Sequence, residues 1–165
     1  MEYLVGDRLF DRVYLVVSPQ SPFKDESNVA SAQARFDAAV EAVRRHPHLN
    51  VVVDDIELGM EPPHYTIRTL DALKLREPCN SFTLVTGADQ LYDFRRWKDY
   101  GRILLEYGLL VFPRSGYDAE ELKEDLLREN PAFRIDLAAA PLVDVSSTEI
   151  RDALASGRDM SEYLM

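Results

Sequence analysis

A group of hydroxyl-bearing residues near the end of the chain, followed by an arginine, could bind phosphate. Residues 146–151 read Ser-Ser-Thr-Glu-Ile-Arg and follow a short β-branched run. Ser146 and Glu149 have the spacing of a capping box, which predicts that a helix begins here. The N–H groups at a helix start can hold an anion, and a nearby arginine can add a bidentate contact. Both an ordinary capped surface helix and a phosphate site fit this pattern. The candidate phosphate ligands are Ser146, Ser147, Thr148 and Arg151.

A glycine turn that carries a carboxylate is the second candidate. Residues 82–86 form an apolar run typical of a strand, and Gly87-Ala88-Asp89 follows at once. In an α/β sheet such a turn lies at the carboxyl edge, where ligands bind. Trp97 comes eight residues after Asp89. A lone tryptophan is usually a core residue, but it is also a good stacking surface for a flat ring. Both interpretations of Trp97 stay open.

Two groups of residues resemble metal ligands, but neither predicts a metal site. His46 and His48 flank a proline where a helix is expected to end, and no third ligand lies nearby in the sequence. Asp54, Asp55 and Glu57 follow an apolar run. Their position indicates a solvated strand end more than a metal cluster.

Composition and charge limit the classes of partner. The chain has 165 residues, enough for one domain with a real core. The net charge is −10, which argues against nucleic acid or an anionic membrane as a partner. A single cysteine, Cys79, cannot form an internal disulfide, which fits a reducing cytoplasm. No apolar run is long enough to span a membrane, and no signal peptide is visible.

The strands expected to position these residues are short apolar runs. Residues 12–17 form an almost continuous run, which predicts a strand buried on both faces of a parallel sheet. Similar runs predict strands at residues 50–53, 82–86, 109–112 and 133–137. Helical patterns separate the strands, so the predicted class is α/β with a mostly parallel sheet.

The helices are predicted from apolar residues spaced three and four apart. Residues 1–9 read as the back half of a helix, and Phe36, Ala39, Val40 and Val43 mark a long amphipathic helix. Thr66 is expected to cap a helix that carries Ile67, Leu70 and Leu73. Further helices are expected around Ile103, Leu104 and Tyr107, and after Asp118, whose cap would involve Glu121.

Five segments, in this order, resemble the bacterial nicotinate-nucleotide adenylyltransferases. Residues 18–24 resemble the proline-lysine loop after the second strand, and residues 65–70 resemble the Tyr-Thr-x-x-Thr-Leu segment. Residues 87–97 resemble the Gly-(Ala/Ser)-Asp…Phe…Trp block, and Arg114 resembles the strand-end arginine. Residues 146–151 resemble the C-terminal Ser-(Ser/Thr)-Thr-x-Ile-Arg motif. The resemblance implies a Rossmann-like, doubly wound, mostly parallel sheet, the nucleotidylyltransferase fold.

One segment of the family pattern is absent from the chain. Members open with a strand that runs into a Gly-rich and His-x-Gly-His motif, and no stretch of residues 1–165 carries it. We therefore assign no catalytic residue. We expect residues 1–165 to form a single nucleotidylyltransferase-like domain that lacks the first strand and is truncated at both ends. On that basis we expect this form to be catalytically impaired, poorly stable alone and able to self-associate.

The resemblance implies transfer of the adenylyl group of ATP to nicotinate mononucleotide, with release of pyrophosphate, in cytoplasmic NAD synthesis. The nucleophile is a phosphate oxygen that is already ionised, so the protein must mainly position and stabilise charge. Magnesium would arrive with ATP, and no metal site is assigned.

The resemblance also implies a role for each matched residue. Implied ATP ligands are Gly87, Asp89, Ser146, Ser147, Thr148 and Arg151. Asp89 would bind a ribose hydroxyl, and Arg151 the outer phosphates. Implied acceptor ligands are Lys24, Tyr65, Thr66, Trp97 and Lys98, with Trp97 stacked on the pyridine ring and backbone N–H groups near Thr66 and Lys98 on the nicotinate carboxylate. Arg35 and Arg114 are further phosphate contacts.

Two other functions remain open at this level. One is a nucleotide-binding fragment or pseudoenzyme that has lost catalysis. The other is a related adenylyltransferase with a different acceptor, such as phosphopantetheine. The Tyr65-Thr66 pair and Trp97 favour a nicotinate acceptor over that second alternative.

Overall fold

The computed structural model describes residues 1–6, 9–19 and 32–140 of the chain. These residues fall into two compact units, which divide between His64 and Tyr65. The predicted Lys24, Ser146, Ser147, Thr148 and Arg151 lie outside the described residues. A single domain over residues 1–165 stays a prediction.

The first unit contains a parallel strand pair. Its elements are α1 (Glu2–Gly6), β1 (Val13–Val16), α2 (Ala32–Arg44), β2 (Val51–Asp54) and a 3-10 turn at Ile56–Gly59. β1 and β2 are parallel, with Val13 opposite Val51 and Val16 opposite Asp54. The apolar patterns predict α2, β1 and β2, whereas of the helix predicted over residues 1–9, residues 2–6 are helical and Leu9 is not.

Burial in the first unit differs from the prediction at two places. Every residue of β1 is only half-buried, although the sequence predicts burial on both faces. The apolar run records composition, whereas burial depends on what packs over each face, and α2 contributes no buried residue. The predicted solvated strand end is wrong for two of its three acidic residues, because Asp54 is 5% exposed and Glu57 is 8% exposed, whereas Asp55 is exposed as predicted. Asp54 Oδ1 accepts a hydrogen bond from the Ile56 N–H at 3.0 Å, a local turn that holds the carboxylate in place.

The second unit is built on a three-stranded parallel sheet in the order β3-β4-β5. Its strands are β3 (Leu84–Gly87), β4 (Leu109–Phe112) and β5 (Ile135–Leu137). Its helices are α3 (Thr66–Arg76), α4 (Ala88–Tyr92), α5 (Tyr100–Arg102) and α6 (Ala119–Glu129), with a 3-10 turn at Phe94–Arg96 and a π-helix at Ile103–Tyr107. All strand pairs among the described residues are parallel, which confirms the predicted α/β class.

The core of the second unit lies between this sheet and its helices. Phe94, Ile103, Leu104 and Val111 are fully buried in it. Ile67 and Leu70 of α3 belong to the same cluster, and Trp97 packs against it while remaining partly exposed. The helical face predicted around Ile103 is therefore a core face, although its backbone has the wider π geometry.

One of the two helix caps expected in this unit is present. The Asp118 side chain accepts a hydrogen bond from the Glu121 N–H at 3.0 Å, which confirms the cap of α6. The predicted Thr66 cap is wrong. Tyr65 occupies the N-cap of α3 with an extended backbone, no side chain makes a cap hydrogen bond there, and Thr66 is already the first helical residue.

Candidate functional site

The carboxyl ends of β3 and β4 bring three of the predicted site residues together. The parallel register sets Gly87 opposite Phe112, and Arg114 lies two residues beyond Phe112. Asp89 follows Gly87 in the first turn of α4. Asp89 Oδ1 and Arg114 Nε are 3.6 Å apart. Strand register alone explains why an acid and a base that are 25 residues apart in sequence meet at this edge.

Gly87 is required by the position of the Asp89 side chain. Its backbone dihedrals, φ −94° and ψ 161°, suit any residue. A Cβ at this position would overlap Asp89 Oδ1 and would lie 3.5 Å from Arg114 Cγ. The Asp89 carboxylate therefore folds back over the strand end, into space that only glycine leaves open.

This pair of charges suits a nucleoside with attached phosphates. The side chains of Asp89 and Arg114 are 34% and 40% exposed, so both can reach a ligand. At 3.6 Å they attract one another without a direct hydrogen bond. The Asp89 carboxylate can accept hydrogen bonds from hydroxyl groups, and a guanidinium suits phosphate oxygens.

The start of α3 carries two further predicted residues. Tyr65, at the N-cap, has 43% of its surface exposed, and Thr66 begins the helix. Among the described residues, the backbone N–H groups of Thr66 and Ile67 have no hydrogen-bond partner. Free N–H groups at the start of a helix favour an anion such as a carboxylate.

Trp97 and Lys98 follow the 3-10 turn that ends at Arg96. The Trp97 ring packs on Phe94, with ring centroids 4.8 Å apart and planes tilted by 32°. Trp97 also packs against the core cluster that contains Ile67, the neighbour of Thr66. Trp97 is thus partly a core residue, and its stacking on a ligand ring stays a prediction that its partial exposure permits. Lys98 is exposed, with Nζ 3.7 Å from Asp99 Oδ1.

Arg35 is the one predicted site residue described in the first unit. Its Nη2 donates to the carbonyl oxygens of Ser18 and Pro19, both at 2.8 Å. Nε is buried and has no hydrogen-bond partner in the part of the chain that the structure describes. Arg35 thus holds the chain just after β1, while its predicted contact with phosphate stays a prediction.

A charged network in the second unit was not predicted from the sequence. Arg102 donates to both oxygens of Asp71, Nη1 to Oδ2 at 3.1 Å and Nη2 to Oδ1 at 2.6 Å. It also donates to both oxygens of Glu106, at 2.8 and 2.9 Å. The Tyr107 hydroxyl donates to Asp71 Oδ1 at 2.7 Å. The Arg102 and Glu106 spacing was visible as an i,i+4 pair, but nothing local pointed to Asp71, 31 residues away.

The network sets the protonation of its members. Burial raises the pKa of Asp71, but hydrogen bonds from Arg102 and Tyr107 and the charge of Arg102 outweigh burial, so this pKa lies below its usual value. The hydrogen bond from Arg102 also lowers the pKa of Glu106. Burial, followed by the hydrogen bond to Asp71, raises the pKa of Tyr107 to about 12. Near neutral pH both carboxyls are ionised, and Tyr107 keeps the proton that it donates.

The described residues lack two kinds of feature, a cluster of metal ligands and a membrane-spanning helix. No group of three or more His, Cys, Asp or Glu side chains there could hold a metal ion. No helix within the same residues is long and apolar enough to cross a membrane.

Sequence comparison identifies relatives along nearly the whole chain. The family model of cytidylyltransferase-like proteins matches residues 6–153. A probable nicotinate-nucleotide adenylyltransferase of Porphyromonas gingivalis is 34% identical over 162 residues, which cover 98% of this chain and 78% of that protein. One from Cytophaga hutchinsonii is 37% identical over 155 residues, or 94% of this chain and 76% of that protein.

Structure comparison gives the same fold. The nicotinic acid mononucleotide adenylyltransferase of Plasmodium falciparum, complexed with NaAD, superposes with a TM-score of 0.70 and 18% identity. The match covers 92% of this chain and 73% of that one. A complex of the Plasmodium enzyme with APC matches with a TM-score of 0.65.

Proposed function

We propose that this chain, which belongs to the nicotinate-nucleotide adenylyltransferases of the cytidylyltransferase-like family, transfers the adenylyl group of ATP to nicotinate mononucleotide in NAD synthesis. The observation that best supports this is the cluster of Gly87, Asp89 and Arg114 at the carboxyl edge of β3 and β4. In open α/β sheets this edge is where nucleotides bind.

The reaction requires the protein to position the two nucleotides and to stabilise the charge on their phosphates. A phosphate oxygen of nicotinate mononucleotide attacks the α-phosphorus of ATP, and the bond to pyrophosphate breaks. The nucleophile is already ionised near neutral pH, so no general base is needed. Arg114 offsets charge on the phosphates, and Asp89 orients the ribose by accepting a hydroxyl hydrogen bond. Beyond the described residues, the proposal assigns the outer phosphates to Ser146, Ser147, Thr148 and Arg151, and an acceptor contact to Lys24.

The acceptor site is proposed at the start of α3 and at Trp97. The exposed part of Trp97 stacks on the pyridine ring, with Tyr65 alongside. The backbone N–H groups of Thr66 and Ile67 at the start of α3, together with the Lys98 N–H, take the nicotinate carboxylate. A carboxylate can accept all of these hydrogen bonds, whereas the N–H₂ of an amide cannot. A buried donor left unpaired typically costs about 1–3 kcal/mol, so the site should prefer nicotinate over nicotinamide nucleotides.

The remaining parts of the proposal concern the surroundings of the reaction. ATP enters as its Mg²⁺ complex, so the metal belongs to the substrate. The reaction runs in the cytoplasm, and the net charge of −10 disfavours nucleic-acid and anionic-membrane partners. The proposal also retains the predicted self-association of the chain.

Trp97 offers a direct test, because it is the only tryptophan in the chain. Nicotinate mononucleotide should quench its emission, and nicotinamide mononucleotide should require roughly 5- to 150-fold more ligand for the same effect. The affinity for ATP, measured by calorimetric titration, should be weakened in an Asp89→Asn variant. Asp93→Asn is the matched control, because Asp93 is an exposed carboxylate four residues further on whose side chain lies 3.3 Å from Arg96 Nη1. No quenching at millimolar nicotinate mononucleotide, or equal binding of the two nucleotides, would contradict the assignment.

A further inference from the structure

The network around Arg102 connects two segments that each carry part of the proposed acceptor site. We call Asp71, Arg102, Glu106 and Tyr107 the Arg102 network. Asp71 lies on α3, five residues after Thr66. Arg102 lies on α5, five residues after Trp97. Through this contact α3, whose first N–H groups belong to the proposed acceptor site, is connected to the segment that carries the Trp97 ring.

The contact has the geometry of a rigid connection. Arg102 uses its planar fork against both oxygens of Asp71 and both oxygens of Glu106, so the guanidinium cannot rotate without losing hydrogen bonds. Tyr107, only 7% exposed, fixes the same Asp71 oxygen from the core side. Asp71 is therefore held from two directions, on a helix whose Ile67 and Leu70 pack into the core.

Two uncommon backbone conformations flank Arg102. Asp99, directly after Lys98, is left-handed with φ 53° and ψ 38°, and it is the one non-glycine residue with positive φ among the described residues. On the other side the π-helix at Ile103–Tyr107 is closed by a 2.8 Å hydrogen bond from the Gly108 N–H to the Ile103 carbonyl. The wider turn allows Arg102 and Tyr107, five residues apart, to face the same carboxylate. Both conformations are unfavourable by themselves and tend to occur at functional sites.

We propose that Asp71 and Arg102 are positioning residues that set the spacing between the start of α3 and the Trp97–Lys98 segment, and thereby the preference of the acceptor site for a carboxylate. This inference rests on the proposed acceptor. Two donor groups on separate elements can meet both oxygens of one carboxylate only if their separation is held constant. When the network is broken, the elements shift, and the donors no longer converge on the carboxylate.

The test compares two nucleotides in variants of the full chain. Asp71→Asn removes the negative charge to which Arg102 donates its hydrogen bonds. Arg102→Lys keeps the positive charge but cannot form the bidentate hydrogen bonds of a guanidinium. Arg128→Gln is the matched control, because Arg128 also contacts two carboxylates, Asp125 and Glu124, but all three lie on α6. Trp97 emission is titrated with nicotinate and with nicotinamide mononucleotide, and the thermal midpoint and the affinity for ATP are measured alongside.

The expected result is a loss of selectivity. In Asp71→Asn the dissociation constant for nicotinate mononucleotide should rise on the order of tenfold, while that for nicotinamide mononucleotide and for ATP changes little. The selectivity of Arg102→Lys for nicotinate over nicotinamide mononucleotide should lie between that of Asp71→Asn and that of the wild type. The selectivity of Arg128→Gln should equal that of the wild type.

The results that would contradict this inference differ from those that would contradict the proposed acceptor. If the wild type binds nicotinate mononucleotide and both network variants keep its selectivity, or lose affinity for all three ligands in parallel with the thermal midpoint, the network is only structural and the inference is overturned. If Asp71→Asn fails to fold, the selectivity of Arg102→Lys between the two nucleotides tests the inference instead. If the wild type itself does not bind nicotinate mononucleotide, the proposed acceptor falls, and this inference falls with it.

Discussion

At the scale of single residues, the position of the Asp89 side chain explains why residue 87 is a glycine. Its backbone would accept any amino acid, yet a Cβ would overlap Asp89 Oδ1. Asp89 is partly exposed, so its side chain can move aside without disturbing the core. The glycine is thus a requirement of the site and not of the fold.

We therefore predict that Gly87→Ala weakens ATP binding without unfolding the protein. Displacement of the Asp89 carboxylate should remove one charged hydrogen bond to the nucleotide, worth about 1.5–3 kcal/mol, while the thermal midpoint changes little. Calorimetric titration with ATP and a melting curve measure the two effects. Gly59→Ala is the control, since a Cβ there would meet nothing within 4 Å. Equal affinities for the two variants would show that Asp89 does not contact the nucleotide.

At the scale of elements, α3 and α5 are joined by charged groups whose protonation differs between the folded and unfolded chain. Asp71 and Glu106 have lowered pKa values in the folded protein, the first by hydrogen bonds that outweigh its burial and the second mainly by its hydrogen bond from Arg102. Unfolded, they titrate at about 3.9 and 4.3. At pH values between the lowered pKa values of the folded protein and the pKa values of the unfolded chain, the unfolded chain binds more protons. The free energy of unfolding therefore rises with pH in this interval.

We predict that the stabilisation from this contact is complete above about pH 5 and is lost as the pH falls through the lowered pKa values. Wild type and an Asp71→Asn variant should therefore differ in thermal midpoint at pH 7 and converge in acid. Both carboxylates are more than a third exposed, so the difference should be modest. Melting curves from pH 7 to pH 3 measure it. A constant difference across that range would mean that the Asp71 charge does not contribute.

At the scale of the whole molecule, the described elements of the two units differ in how many of their residues are buried. In the second unit β4 is paired on both sides, and three of its four residues are buried. In the first unit β1 is half-buried and α2 has no buried residue. Local opening should therefore be easier in the first unit than in the second.

Hydrogen exchange should reveal this difference. We predict that amide protons of Leu109–Phe112 exchange at least roughly tenfold more slowly than those of Val13–Val16 and Ala32–Arg44, because opening β4 disrupts the buried core cluster to which Leu109 and Val111 belong. Exchange followed by mass spectrometry at neutral pH resolves the three segments. Similar protection in all of them would indicate that the units open together.

The sequence by itself determined the elements and the chemistry at their ends. Apolar runs predicted β1 to β5, three-and-four spacing predicted the helices, and the Asp118 cap was readable from its Glu121 partner. The turn at Gly87 and Asp89 was also predicted as a ligand site before any fold was known. These features are local, because they depend on hydrogen bonds and side-chain patterns within a few residues.

Tertiary structure decided which of these residues meet and which are covered. Asp89 and Arg114 approach each other because the register sets Gly87 opposite Phe112. Asp71 reaches Arg102 because α3 and the π-helix that follows α5 pack on one core. The burial of Asp54 and Glu57 and the half-burial of β1 were mispredicted, because covering a surface depends on distant segments. Sequence patterns record which side chains are apolar or charged, whereas packing determines the distances between them.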